Sequence, residues 1–357
     1  MRVLVVCPVH DPRDARIAER EIPALLEAGH EVTQAGPFTA VGAIAQPGVR
    51  PIDIPRSVGR RRARALRHTR RVLREQAPHH DIVLLHSADA VIAASGLDHA
   101  AIVWDLHEDT AASLGLKSWV PGPLRRPTAG LARRLERRAA RRHHLILAEA
   151  AYAERFDDAH PIVPNTPWVP ETVSASARGR AVYVGSITVA RGGDDLIRLG
   201  HDLADVDIAL EVIGSASGEM AQRLRGAQDH LTWLGFLPNR EALARVSGAT
   251  VGLSLLHDEP NYRHSMPTKL LEYLAQGVPV ISTPLPLAVD LAERSGGGII
   301  VPFADAQAVR EAVVALNADD ERRQRMADAG REWVRRYANW SQDGPAFVRQ
   351  LQQWARG

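Results

Sequence analysis

Cysteine and lysine are nearly absent from this 357-residue chain. Its one cysteine, Cys7, leaves no internal disulfide available and predicts a reducing, cytoplasmic setting. Cys7 lies in an apolar run and is expected to be a small buried side chain. Two lysines, Lys117 and Lys269, stand among 44 basic residues, and all the others are arginine. Against that bias an arginine cluster says little and a retained lysine says more. No apolar run is long enough to span a bilayer, and the opening "MRVLVVCPVHDPRD" is charged too early for a signal peptide. The formal charge of +2 has no excess that points to nucleic acid. The nucleotide motifs most easily read are also missing. No G-x-G-x-x-G follows the first strand, "GSASG" at 214–218 has the wrong spacing, and no P-loop occurs. The paired histidines at 79–80 and 143–144 cannot share a helix face, so metal spacing is lacking too.

What is present is a repeated α/β pattern. "RVLVVCPV" is continuous and β-branched, as a buried parallel strand requires. "ARIAEREIPALLEAGH" then carries a helical stripe at Ile17, Ile22, Leu25 and Leu26, closed by Gly29. Strands follow at "EVTQAGP", "DIVLLH" and "AAIVWDLHE", and "HHLILAEAAYAERF" with "PIVPNTP" completes the half. A second series begins afresh with "AVYVGS", "IALEVIG", "LTWLGF", "TVGLSLL", "VPVIST" and "GGIIVPF". Helices are expected around 191–203, 217–228, 239–247, 267–276, 286–295 and 305–317. This predicts an α/β chain with two Rossmann-like domains whose parallel sheets face each other across a cleft. The expected division is 1–165 for an acceptor-binding domain, 166–180 for a proline- and glycine-punctuated linker, and 181–337 for a nucleotide-sugar-binding domain. A last helix at 338–357 is expected to pack back towards the first domain.

Ligands of such folds sit at the carboxyl ends of strands, so three strand-end loops stand out. In "VGSITVARGGDDLI" (184–197), Gly185 ends a strand and Arg191 precedes two glycines. Glycines let backbone approach an anion, and arginine offers it a forked donor, although a plain βα turn with a surface arginine reads equally well. In "MPTKLLEYLAQGVPVIST" (266–283), Pro267 and Thr268 suit a helix start, with Lys269 just inside it. A cation there opposes the helix dipole, and a bound anion removes the objection. Glu272, one turn on, can accept two hydroxyl hydrogen bonds, as from a ribose. The plainer account of Lys269 and Glu272 is an i,i+3 ion pair. In "VWDLHEDT" (103–110), His107 follows a buried strand and is a cleft candidate or a structural histidine.

With these residues in order, the chain resembles the family 4 retaining glycosyltransferases of GT-B fold. The likeness covers nearly the whole chain and is strongest over 181–303. "YVGSITVARGG", "EYLAQGVPVIS", the opening "HDPRDARIAERE" and "VPN" at the domain junction carry it. The resemblance implies that Arg191 holds the donor diphosphate, with Gly185 and Ser186 in the same loop. It implies that Ser265, Pro267, Thr268 and Lys269 lie at the phosphate-binding helix start. Glu272 would bind ribose, Phe236 and Leu237 would face the base, and His107 would lie beside the transferred sugar. Two departures stand out. Ser186 replaces a basic residue, and His264 replaces the first glutamate of a Glu-x7-Glu pair. Lys269 is read as restoring the lost positive charge.

The implied reaction is transfer of a hexosyl group from a nucleotide diphosphate sugar to an acceptor, with retention and without a metal. The expected catalytic residues are His107, Arg191 and Lys269. The donor is expected to be a UDP-sugar, with GDP- and dTDP-sugars as alternatives, and no permanently bound cofactor. The acceptor would be a carbohydrate, a lipid-linked molecule or a small molecule, with Asp11 and Arg13 at its edge. The basic stretches 56–75 and 125–144 read most simply as solvated helices in an arginine-biased chain, with peripheral contact at the inner membrane face as the alternative. Two competing readings are a sugar-nucleotide-binding protein without catalysis and a nucleotide-sugar epimerase of the same architecture.

Overall fold

The structure is a computed structural model that describes residues 1–99, 101–107 and 122–356, with backbone alone for 122–126 and 129. Lys117 and residues 108–110 of the His107 loop lie outside the described residues. The chain divides into two compact units, Met1–Asn165 with Ser341–Gly357, and Thr166–Trp340.

Unit 1 is built on a six-stranded parallel sheet in the order β3-β2-β1-β4-β5-β6. Its strands are β1 (Arg2–Val6), β2 (Glu31–Gly36), β3 (Val49–Asp53), β4 (Ile82–Leu85), β5 (Ile102–Leu106) and β6 (His144–Leu147). Val3 to Val6 and Ile82 to Leu85 are wholly buried, as central strands covered on both faces must be. Strand β3 was not expected from the sequence. Its "VRPID" contains Pro51 and is mostly exposed, which weakens the strand pattern. An edge position explains both, because a proline can sit where one side of the ladder is unpaired. The basic helix Arg62–Gln76 turns Ala65, Thr69, Val72 and Leu73 inward. The last helix, Trp340–Ala355, contributes to this unit, where Trp354 stacks on His144 at 4.5 Å between ring centroids.

Unit 2 repeats the topology, with the order β12-β11-β10-β7-β8-β9, again all parallel. Its strands are β7 (Arg180–Val184), β8 (Ala209–Ile213), β9 (Thr232–Gly235), β10 (Val251–Ser254), β11 (Val280–Ser282) and β12 (Gly298–Ile300). Each coincides with a predicted strand, β7 starting one residue earlier at Arg180. The helix Asp320–Tyr337 was not expected from the sequence. Residues 166–179 form no helix or strand, and they lie against unit 2. The Ser176 hydroxyl donates to the carbonyl of Ala249 at 2.6 Å, and the Ser174 amide to Ser247 Oγ at 3.1 Å.

One contact in unit 2 sets the position of a helix start. A Cβ at Gly252 of β10 would run into the Tyr273 ring, so glycine there lets the ring lie against the strand. The Tyr273 hydroxyl then accepts from the Val184 amide at 2.7 Å and donates to the Leu253 carbonyl at 3.3 Å. The helix Thr268–Ala275 is thereby tied to the ends of β7 and β10, with Lys269 one turn before the tether. No described helix is long and apolar enough to cross a membrane.

Candidate functional site

The carboxyl end of β7 is where unit 2 gathers its candidate residues. Gly185 leaves the strand at φ 136°, a conformation L side chains rarely adopt. A Cβ built on it would lie 3.2 Å from the Lys269 ammonium nitrogen, so glycine makes room for that side chain. Ser186 is exposed, and its carbonyl accepts from the Tyr183 hydroxyl at 2.9 Å. Arg191 closes a short 3-10 turn, Val189–Arg191, and is half-buried 5.9 Å from the centre of the Tyr262 ring.

Lys269 is 8% exposed, an unusual fate for a lysine. Its ammonium lies 3.8 Å from the centroid of the Tyr183 ring, a cation–π contact. Its nitrogen makes no hydrogen bond. Burial, followed by the repulsion of Arg191, pushes its pKa well below the usual lysine value, and Glu272 pulls weakly the other way. The preceding Pro267 provides no side-chain cap for the helix. Lys269 thus sits just inside a helix start with a like-charged neighbour, Arg191, whose repulsion Glu272 offsets only in part.

Glu272 is buried on the same helix and accepts from Asn239 Nδ2 at 3.2 Å. The other predicted positions are less closely joined. Phe236 is 50% exposed and Leu237 half-buried, in the loop between β9 and the helix Asn239–Val246. His264 is exposed and Ser265 half-buried, in the turn before Pro267. The structure therefore places Gly185 beside the Lys269 ammonium and couples Arg191 and Glu272 to Lys269 electrostatically. Tyr183, Asn239 and Tyr262 were missed, because contacts to partners 33 to 86 residues away leave no local pattern.

Unit 1 holds a second polar centre, and only His107 of it was expected. Asp105, on β5, accepts from Arg16 at both oxygens, each at 2.7 Å. Its Oδ2 lies 2.8 Å from His107 Nδ1 and 3.3 Å from His86 Nδ1. Glu21 lies 3.0 Å from Arg16 and 3.1 Å from His86 Nε2. Arg16, Glu21, His86 and Asp105 are all at most 1% exposed. Burial alone would neutralise these groups. Instead Arg16 and His107 hold Asp105 well below the carboxylate range, against that burial. The His86 imidazole is pushed up to about 9, because Glu21 and Asp105 outweigh its desolvation. His107 is raised too, with Asp105 and Asp14 outweighing burial. His86, Asp105 and His107 lie close enough to enclose a cation, but Arg16 already occupies both oxygens of Asp105. The loop residues Asp11 and Arg13 pair with each other at 2.8 Å.

The one cue to this centre is positional. His86 and His107 follow neighbouring strands, β4 and β5, at the same ends. Nothing in the sequence marks Arg16 for burial.

Comparison with known proteins bears on the unit 2 residues most directly. Residues 168–333 match the family Glycosyl transferases group 1. This glycosyl transferases group 1 segment contains Gly185, Arg191, Lys269 and Glu272, and excludes His107. A stretch of 137 residues is 31% identical to the phosphatidyl-myo-inositol mannosyltransferase of Mycobacterium leprae (strain TN). That match covers 38% of this chain and about a third, 35%, of that protein. Among solved structures, the sucrose-phosphate synthase of Thermosynechococcus elongatus is similar at a TM-score of 0.76 and 16% identity, over 99% of this chain and 98% of that one. Anabaena Alr3699/HepE in complex with UDP-glucose is similar at 0.73 and 14%, over 99% and 100%. At such identities the likeness concerns the fold, and that fold is GT-B.

Proposed function

We propose that this chain transfers a hexosyl group from a nucleotide diphosphate sugar to an acceptor hydroxyl, with retention at the anomeric carbon. The observation that carries the reading is the buried Lys269 ammonium, without a hydrogen bond, beside Gly185 and the like-charged Arg191. A stable helix start gains nothing from that arrangement, whereas a diphosphate would satisfy it. The position of both residues within the glycosyl transferases group 1 segment supports the assignment. In this reading Arg191 and Lys269 bind the diphosphate, the Gly185–Ser186 backbone lets it approach, and Glu272 accepts from ribose hydroxyls. Phe236 and Leu237 face the base. Lys269 supplies the charge that Ser186 and His264 do not.

The bond from the anomeric carbon to the diphosphate oxygen breaks, and a bond to the acceptor oxygen forms on the same face. The acceptor proton passes to the departing diphosphate. Charge grows on that diphosphate in the transition state, so cations placed in advance lower the barrier. His107 is assigned to an oxygen of the transferred sugar. UDP is the first nucleotide to try, because the Anabaena structures hold UDP and UDP-glucose. Asp11, Arg13 and the arginine recess at 134–142 are assigned to the acceptor side, the recess through an anionic membrane surface. Vesicle binding that persists at high salt, or none at all, would remove that last assignment.

The test is thermal stabilisation by a panel of nucleoside mono- and diphosphates and their sugars. A diphosphate is expected to raise Tm where the matching monophosphate does not, and Lys269→Met is expected to abolish the difference. Equal shifts for mono- and diphosphate would rule the assignment out.

A further inference from the structure

We propose that Asp105 is the positioning residue that fixes the tautomer and aim of His107, and that Arg16, Glu21 and His86 form the buried frame holding Asp105 in place. The substrate end of this inference rests on the glycosyl-transfer reading; the histidine's tautomer does not.

Asp105 accepts two hydrogen bonds from Arg16 and is therefore ionised and acceptor-only. His107 Nδ1, 2.8 Å from it, must then carry a proton. That choice leaves Nε2 as the working nitrogen. Nε2 is buried, and it is the ring nitrogen of His107 with no hydrogen-bond partner. The side chain as a whole is 10% exposed, so the bare nitrogen has lost water and gained nothing in return. A sugar hydroxyl would restore the missing bond, as acceptor or donor according to the charge on the ring.

The frame explains why Asp105 does not turn elsewhere. Arg16 holds it in a two-point fork and also donates to the Val163 carbonyl at 3.1 Å, which fixes the guanidinium plane. Glu21 stands against Arg16 and His86 on the far side, so each buried cation has two carboxylates near it. Among the described residues, Asp105, Asp14 and His86 act on the charge of His107, and the His10 ring lies 4.9 Å from it. The device is a carboxylate that orients an imidazole, with a second imidazole and a guanidinium that orient the carboxylate.

The first measurement needs no substrate and no variant. Long-range 1H–15N spectra of the wild-type histidine rings are expected to show His107 protonated at Nδ1, with the assignment made by loss of the signal in His107→Asn. An Nε2–H tautomer would overturn the proposal. The second measurement is a double-mutant cycle on UDP-glucose turnover with Asp105→Asn and His107→Asn. Asp105→Asn is expected to lower kcat about 10- to 100-fold and to move the pH limb of turnover to acid by about one unit. In the His107→Asn background it is expected to have little further effect. UDP binding should stay within about twofold, which reports that the fold is intact. An equal loss in both backgrounds would make Asp105 a folding residue and overturn the proposal. Should the wild-type chain turn over no nucleotide sugar, the glycosyl-transfer reading fails, and the spectra alone still decide the tautomer.

Discussion

Replacing Lys269 with methionine is expected to move stability and ligand binding in opposite directions. The free protein carries a buried ammonium without a hydrogen bond, next to a second cation. An unsatisfied buried polar group costs about 1–3 kcal/mol. The Tyr183 cation–π contact returns about 0.5–2 kcal/mol of that. Lys269→Met fills similar volume, so the free protein should become more stable by up to about 2 kcal/mol. Binding should suffer, because a charged hydrogen bond to the diphosphate is worth about 1.5–3 kcal/mol, or about 10- to 150-fold in Kd for UDP.

The same residue links binding to pH. Its pKa in the free protein lies well below the usual lysine value, and the bound diphosphate raises it again. Between those two values the complex holds a proton that the free protein lacks. UDP binding then takes up as much as one proton, and affinity falls as much as about tenfold per pH unit. Calorimetry in two buffers of different ionisation enthalpy reads the uptake directly. A Lys269→Met protein that is less stable when free and binds UDP as the wild type does would refute the reasoning. So would zero uptake at every pH from about 6 to about 10, a range that ends near the unperturbed lysine pKa.

Other perturbations have signs fixed by the structure. His86, raised to about 9 from the usual histidine value of about 6.5, contributes stability that is complete below the lower value and lost as pH rises through the upper one. The loss is on the order of 3 kcal/mol, and urea melts in the Lys269→Met background should show it. That background is needed because the depressed Lys269 acts the other way. The unfolded chain binds the extra proton, so that contribution grows with pH. Gly252→Ala forces the Tyr273 ring off β10 and should cost about 1–3 kcal/mol in chemical denaturation. Tyr273→Phe removes the tether to Val184 and Leu253 but not the ring packing, so it should weaken UDP binding more than its stability loss suggests. Arg191→Ala should relieve repulsion on Lys269, raising its pKa in the free protein, while still weakening UDP binding about 10-fold or more.

The strands and most helices were legible because each is short, apolar and bounded by glycine, proline or polar turns. Strand β3 was not, since Pro51 and its exposed residues read as a loop until an edge position is known. The helix Asp320–Tyr337 was hidden by its arginines and acids, which leave Ala327, Gly330 and Val334 as a faint inward stripe. In unit 2, Lys269 stood out because lysine is so rare in this chain. In unit 1, composition worked the other way: among so many arginines, nothing set Arg16 apart as a buried one. Residues far apart in sequence assemble the Arg16–Asp105–His86 frame, and a local pattern cannot report that.

The central claim is retaining glycosyl transfer from a nucleotide diphosphate sugar. Proton NMR of the full chain with UDP-glucose and a panel of hydroxyl acceptors follows the anomeric proton directly. The account predicts loss of the UDP-glucose signal and growth of a new anomeric signal of the same α configuration, slowed strongly by Lys269→Met. A product of inverted configuration, or binding of every nucleotide sugar tried without turnover, would contradict it.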